Sequence, residues 1–180
     1  MSDTDPAAAA LAREDITEIL TEAQLDKLRA SFSESTMSSI ATSILIAEYP
    51  ESERYVTAVH DSLFGAGPDG TEPPLAGLSH KERETSLIVL MAAQRTSFEL
   101  AIHIYWGMMN GLTQDEVAGL LMLCGVYAGI GAQTTGLQTM RSTLTGLKAA
   151  VNNAEQNPQQ GDVDPLSVVP VLGSLLAEFR

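Results

Sequence analysis

Sulfur chemistry is almost missing from this chain: Cys124 is its one cysteine, so no intramolecular disulfide and no Cys-x-x-Cys pair can form. Such a sequence suits a reducing cytoplasm. Basic residues are scarce as well, ten Lys and Arg against 23 Asp and Glu, and the formal charge of −13 argues against nucleic acid or an anionic membrane surface as partner. No apolar run reaches the ~20 residues that a membrane-spanning helix needs. The opening MSDTDPAAAALARED has no basic flank before an apolar core and does not read as a secretory signal. The expectation is a soluble, unexported, cytoplasmic protein with no membrane contact. Strand-type alternation and repeats at solenoid periods are also missing, which leaves helices to build the core.

Helical punctuation is what the chain does have. Residues 1–15 combine acids, Pro6 and an alanine run with no apolar face, and read as a flexible tail. A single helical domain is expected over 16–150. Thr21 with Gln24 resembles a capping box, and Leu25, Leu28 and Phe32 follow at helical spacing. Residues 37–49 predict a helix with Ile40, Ile44 and Ala47 inward, stopped by Pro50. Residues 51–64 predict another, with Tyr55, Val56, Val59 and Leu63 inward and Gly65 as its stop. The stretch 65–77, GAGPDGTEPPLAG, cannot continue a helix. Its glycines do not form a phosphate-binding fingerprint, because no strand pattern precedes them and no suitably spaced basic residue follows.

Two further capping boxes follow, Ser79 with Glu82 and Thr113 with Glu116. The second opens a helix running to about Gly129 that is apolar on nearly every side, Val117, Ala118, Leu120, Leu121, Met122, Leu123 and Val126 included, and should be buried within or between subunits. A last helix over 132–149 places Leu137, Met140, Leu144 and Leu147 on one face. The polar stretch 151–165, with Pro158, Gly161 and Pro165, reads as a linker. Beyond it, the apolar segment at 166–180 should dock on its own subunit or on a neighbouring one.

Three ionisable side chains stand on apolar faces. Glu84 shares a stripe with Ile88 and Met91; Glu99 and His103, one turn apart, share theirs with Ile102 and Trp106. Burying such groups unpaired is costly, so they should meet one another or a ligand. His103 is the candidate proton donor, since imidazole is the side chain that titrates near neutrality when unperturbed. Glu99 and His103 at i, i+4 could supply two metal ligands, but no second clustered pair accompanies them, and no metal is expected. His60 and His80 have no constellation around them.

Those residues, with LSHKERE at 78–84, ELAIH at 99–103, NGLT at 110–113, Glu116 and YAG at 127–129, resemble the carboxymuconolactone decarboxylase family of the alkylhydroperoxidase-like superfamily, over a core of 78–148. The resemblance implies an all-α, alkylhydroperoxidase-like helical fold and a homo-oligomer, trimer or hexamer. It also implies acid/base catalysis with no metal and no organic cofactor. A substrate carboxylate leaves as carbon dioxide and the resulting dienolate is protonated, with His103 as donor and Glu99 or Glu84 orienting it. In the peroxidase branch the paired cysteines would fall on Thr96 and Glu99, so thiol peroxidase chemistry lacks its sulfurs here. Cys124, inside the most apolar helix, reads as a small core residue. Where the family pattern resembles His-x-Arg, this chain has Tyr105, followed by Trp106. These two are the expected substrate-binding residues, suited to a less charged or aromatic molecule. The leading expectation is a lyase acting on a small lactone or oxo-acid. The alternatives are a non-catalytic ligand-binding or assembly protein of the same fold, and a thiol-free antioxidant relative.

Overall fold

Three helices of the computed structural model begin on reciprocal capping boxes. The Thr21 hydroxyl accepts the Gln24 amide at 3.3 Å while the Gln24 side chain accepts the Thr21 amide at 3.1 Å. Ser79 and Glu82 repeat the exchange at 3.3 and 2.8 Å, and Thr113 and Glu116 at 3.0 and 2.8 Å. Each pair satisfies amides that a helix start leaves without partners, and so fixes where the helix begins. They open α1 (Glu22–Ser31), α2 (His80–Gln94) and α4 (Gln114–Ala128). Between the last two lies α3 (Ser97–Met109), and α5 (Ile130–Gln156) completes the set.

The structure describes residues 16–32, 46–47, 50–55, 57–58 and 77–156. The N-terminal tail at 1–15, most of the two helices expected over 37–64, nearly all of the 65–77 loop, the rest of the linker from 157 and the segment at 166–180 lie outside them. Among the described residues there is no strand, and the fold is all-α as expected. Nor is any helix among them long and apolar enough to cross a membrane.

Two tight connections set the packing. After Gln94 the chain turns at Arg95, whose φ of 61° is left-handed, and the Thr96 amide closes back on the Met91 carbonyl at 3.1 Å. This 6→1 bond, with Arg95 bonded to Ala92, stops α2 and folds α3 back against it. Gly129, at φ +90°, separates α4 from α5 with a conformation that side chains rarely adopt. The expected inward face of α5 is observed: Met140, Leu144 and Leu147 are fully buried, and Leu137 packs partly against them. The buried hydroxyls of Thr139 and Thr143 are satisfied by the carbonyls one turn back, at 2.9 and 2.8 Å. Across the other end lies α1, burying Leu25 and Leu28. There Gln114 exchanges two hydrogen bonds with the Leu20 backbone, and Gln24 bonds Asn152.

One boundary and one face differ from expectation. First, α5 runs to Gln156, six residues into the stretch read as a linker, because Val151 is buried and Asn152 and Glu155 are held by Gln24 and Lys27. Second, Tyr55 is 74% exposed rather than inward; helical spacing says which residues share a face, not which face meets the core. The apolar α4 divides: Val117, Ala118, Leu121 and Cys124 are buried within the chain, and Met122, Leu123, Val126 and Tyr127 are exposed on it.

Candidate functional site

The close approach of α2 and α3 builds the site. Gly107 lies on the α3 side of the crossing. A Cβ there would stand 3.1 Å from the Ile88 Cδ1 and 3.5 Å from the Glu84 Cβ, and 2.7 Å from the Leu112 Cδ1. Only a bare Cα lets the helices come so near. One turn back from Gly107, His103 therefore meets Glu84, and its Nδ1 lies 2.9 Å from the Glu84 Oε2.

Burial makes that contact matter. The Glu84 side chain is 2% exposed and that of His103 is 15% exposed. A carboxylate so enclosed costs several kcal/mol unless it is paired and hydrogen-bonded. An ionised carboxylate can only accept, so Nδ1 carries the proton in this pair and Nε2 is left as the working nitrogen. Trp106 packs edge-on to the imidazole, with ring centroids 5.7 Å apart and planes at 77°. The imidazole is thus held from two directions, by charge at Nδ1 and by an indole beside the ring.

Glu99 does not join this bond. It sits half-buried one turn before His103, and among the described residues it makes no hydrogen bond or ion pair. Of the two carboxylates expected to orient His103, it is Glu84 that does so. Tyr105 points elsewhere: it is fully buried, its ring meets Phe32 edge-on at 5.8 Å, and burial pushes its phenol well above the ordinary tyrosine range. Its ring belongs to the core beneath α1, while Trp106, the next residue, stands beside the imidazole. Cys124 is buried as expected, its Sγ 3.7 Å from the Val89 carbonyl, and burial raises its thiol pKa. A raised, enclosed thiol is the opposite of a reactive one. No group of three or more potential metal ligands occurs among the described residues.

Gly107 is the residue that sequence reading passed over. Its signal was available: a lone glycine inside a helix of large residues marks close backbone packing or a bend.

Residues 69–141 match the family model of the carboxymuconolactone decarboxylase family. Over that stretch the chain is similar to the carboxymuconolactone decarboxylase family. The match takes in α2, α3, α4 and the first part of α5, hence Glu84, Glu99, His103 and Gly107 together. No curated protein and no solved structure gives a match to the chain. The resemblance read from the motifs at 78–148 is thereby borne out over most of that span, and the single buried Cys124 does not conflict with it.

Proposed function

We propose that the chain is a cytoplasmic, cofactor-independent lyase of the decarboxylase type, acting on a small lactone or oxo-acid through His103. The observation that carries this reading is the 2.9 Å bond between the Glu84 carboxylate and His103 Nδ1. Such a pairing fixes the ring's orientation at Nδ1 and leaves Nε2 as the nitrogen that exchanges a proton with a reacting carbon. The step balances simply. The bond from the substrate carbon to its carboxylate breaks, carbon dioxide leaves, and the electron pair passes into a dienolate. His103 Nε2 then delivers its proton to that carbon and recovers one from water, while Glu84 keeps its charge throughout. Glu99, one turn away and without a partner among the described residues, is the second group placed to handle a proton.

The test is turnover of a panel of lactones and oxo-acids, read as carbon dioxide release and by mass spectrometry. Wild type is compared with His103→Ala and Glu99→Gln. Losses of ~10²–10⁴-fold in folded variants are expected of a positioned acid/base. Absence of turnover in wild type, with the variants losing stability instead, would leave these residues as a buried polar network. The rival reading, a non-catalytic ligand-binding or assembly protein of the same fold, draws on the exposed apolar side of α4.

A further inference from the structure

Helix α3 carries the same start signal as α1, α2 and α4 but does not use it. Thr96 and Glu99 stand at the N-cap and the third helical position, the spacing of Thr21 with Gln24, Ser79 with Glu82 and Thr113 with Glu116. In those three helices the cap residue is extended, with ψ of 158°, 160° and 160°, and both bonds of the box close. Thr96 has the φ of Thr113, −88°, but a ψ of 85°, and its side chain caps nothing. Its hydroxyl lies instead 3.2 Å from the Met91 Sδ and 3.5 Å from the Met91 carbonyl oxygen. Its amide, the donor that the Glu99 carboxylate would take in a closed box, is spent on that same carbonyl at 3.1 Å.

Only Arg95 and Thr96 separate α2 from α3, so the end of one helix and the start of the other compete for the Thr96 amide. Arg95 decides the contest. Among the described residues it is the one non-glycine residue with a positive φ, 61°, a conformation that is unfavourable for an L side chain and that helix ends ordinarily assign to glycine. The turn it makes carries the Thr96 amide back to Met91 and away from Glu99. The Glu99 carboxylate is thereby half-buried, unbonded among the described residues and one turn from His103. A strained turn that also forgoes a cap bond marks a place where geometry serves something other than stability.

We propose that Arg95 is a positioning residue: its left-handed turn withholds Glu99 from capping and keeps that carboxylate free to return a proton to His103. This rests on the acid/base reading of the site and gives Glu99 its step. Once His103 Nε2 has given its proton to the substrate carbon, the Glu99 carboxylate accepts a proton from solvent and passes it through a water to Nε2. Glu99 ends ionised, as it began, and one solvent proton is consumed for each carbon protonated.

Two experiments test this, the first without turnover. In thermal melts at pH ~6, where free carboxyls are ionised, Thr113→Ala should lower Tm by about 2–4 °C because it removes a working cap. Glu116→Gln should lower it too. Thr96→Ala and Glu99→Gln remove no cap bond and should leave Tm near that of wild type. Falls as large as those at Thr113 and Glu116 would mean that the box closes in solution, and would overturn the proposal. The second experiment is steady-state turnover of a lactone or oxo-acid that wild type accepts. Glu99→Gln should lose ~10²-fold or more in kcat with KM little changed, and added formate, a small carboxylate able to carry the proton, should restore part of the loss. Arg95→Asn keeps the left-handed turn without the guanidinium and should retain kcat. Arg95→Val opposes that turn with a β-branched side chain, and should lose kcat and regain part of it with formate. A merely structural defect would not respond to formate. Equal losses in the two Arg95 variants, or an undiminished kcat in Glu99→Gln, or no response to formate, would overturn the proposal and leave the lyase reading standing. A wild type that turns over none of the panel would sink both.

Discussion

Glu84 and His103 are joined by one hydrogen bond of 2.9 Å across the α2–α3 crossing, and the carboxylate is the more enclosed of the two. The asymmetry predicts different outcomes for two substitutions. Glu84→Gln keeps an acceptor near Nδ1 and the side-chain volume, but removes the negative charge that faces the ring. Stability should change by about 1 kcal/mol or less, while proton donation weakens. Glu84→Ala leaves a cavity and an unsatisfied Nδ1, and should cost about 2–4 kcal/mol. Thermal melts separate the two. Trp106, the chain's single tryptophan, lies 5.7 Å from the imidazole, and its emission should change on His103→Phe. Equal destabilisation by both substitutions would mean that the bond contributes shape rather than charge.

Acid stability should carry the mark of the capping boxes. The Ser79 hydroxyl, and then its amide, hold the Glu82 carboxyl below the ordinary value of 4.5. The Thr113 amide, followed by Lys81, holds Glu116 below it too. In each case the folded state gives up its proton more readily than the unfolded chain. Between the lowered value and the ordinary one, the unfolded state binds more protons, and stability falls as pH falls. The contribution is whole above pH 4.5 and fades as the pH drops through the folded value. Glu116→Gln retains the cap's shape without its charge. Its melting temperature should lie below that of wild type at pH ~6 and converge with it as the pH falls through the folded value. A gap that persists unchanged to the acid end would assign the effect to something other than this carboxylate. The exposed Lys81–Glu116 bridge at 2.9 Å adds little by itself.

What the sequence revealed and what it hid divide along the range of the interaction. Capping boxes are legible because Thr21 and Gln24, Ser79 and Glu82, and Thr113 and Glu116 are three residues apart and need no tertiary partner. The inward placement of Glu84 was legible from its spacing with Ile88. Which carboxylate takes the imidazole was not, since Glu99 is nearest to His103 along the helix while Glu84 reaches it only through a crossing that Gly107 permits. Tyr105 and Trp106 were read together as one pocket wall. Successive helical residues, however, point about 100° apart, so one ring joins Phe32 in the core and the other flanks His103. On α4 the apolar residues surround the helix, so periodicity names no outward side. Only packing reveals that Val126 and Tyr127 are left uncovered.

The Gly107 crossing yields a graded prediction. Alanine in a helix interior is favoured over glycine by about 1 kcal/mol, so Gly107→Ala on a free helix surface would stabilise. Here the new methyl would meet the Leu112 Cδ1 at 2.7 Å and the Ile88 Cδ1 at 3.1 Å. Both are side-chain ends, but Ile88 and Leu112 are themselves buried and have little room to yield. Overpacking of that kind costs about 1–3 kcal/mol. The net loss for alanine should be about 1 kcal/mol, a fall of roughly 2–4 °C in Tm for a chain of this size. Gly107→Val brings two more methyl groups to the same crossing and forgoes alanine's helix propensity, so it should lose more than about 3 kcal/mol. In both variants α3 is pushed away from Glu84, and Trp106 emission should lose part of its dependence on His103. A rise in Tm for Gly107→Ala, by the full propensity gain, would show that the helices are not pressed together here. The 2.9 Å bond would then need another cause.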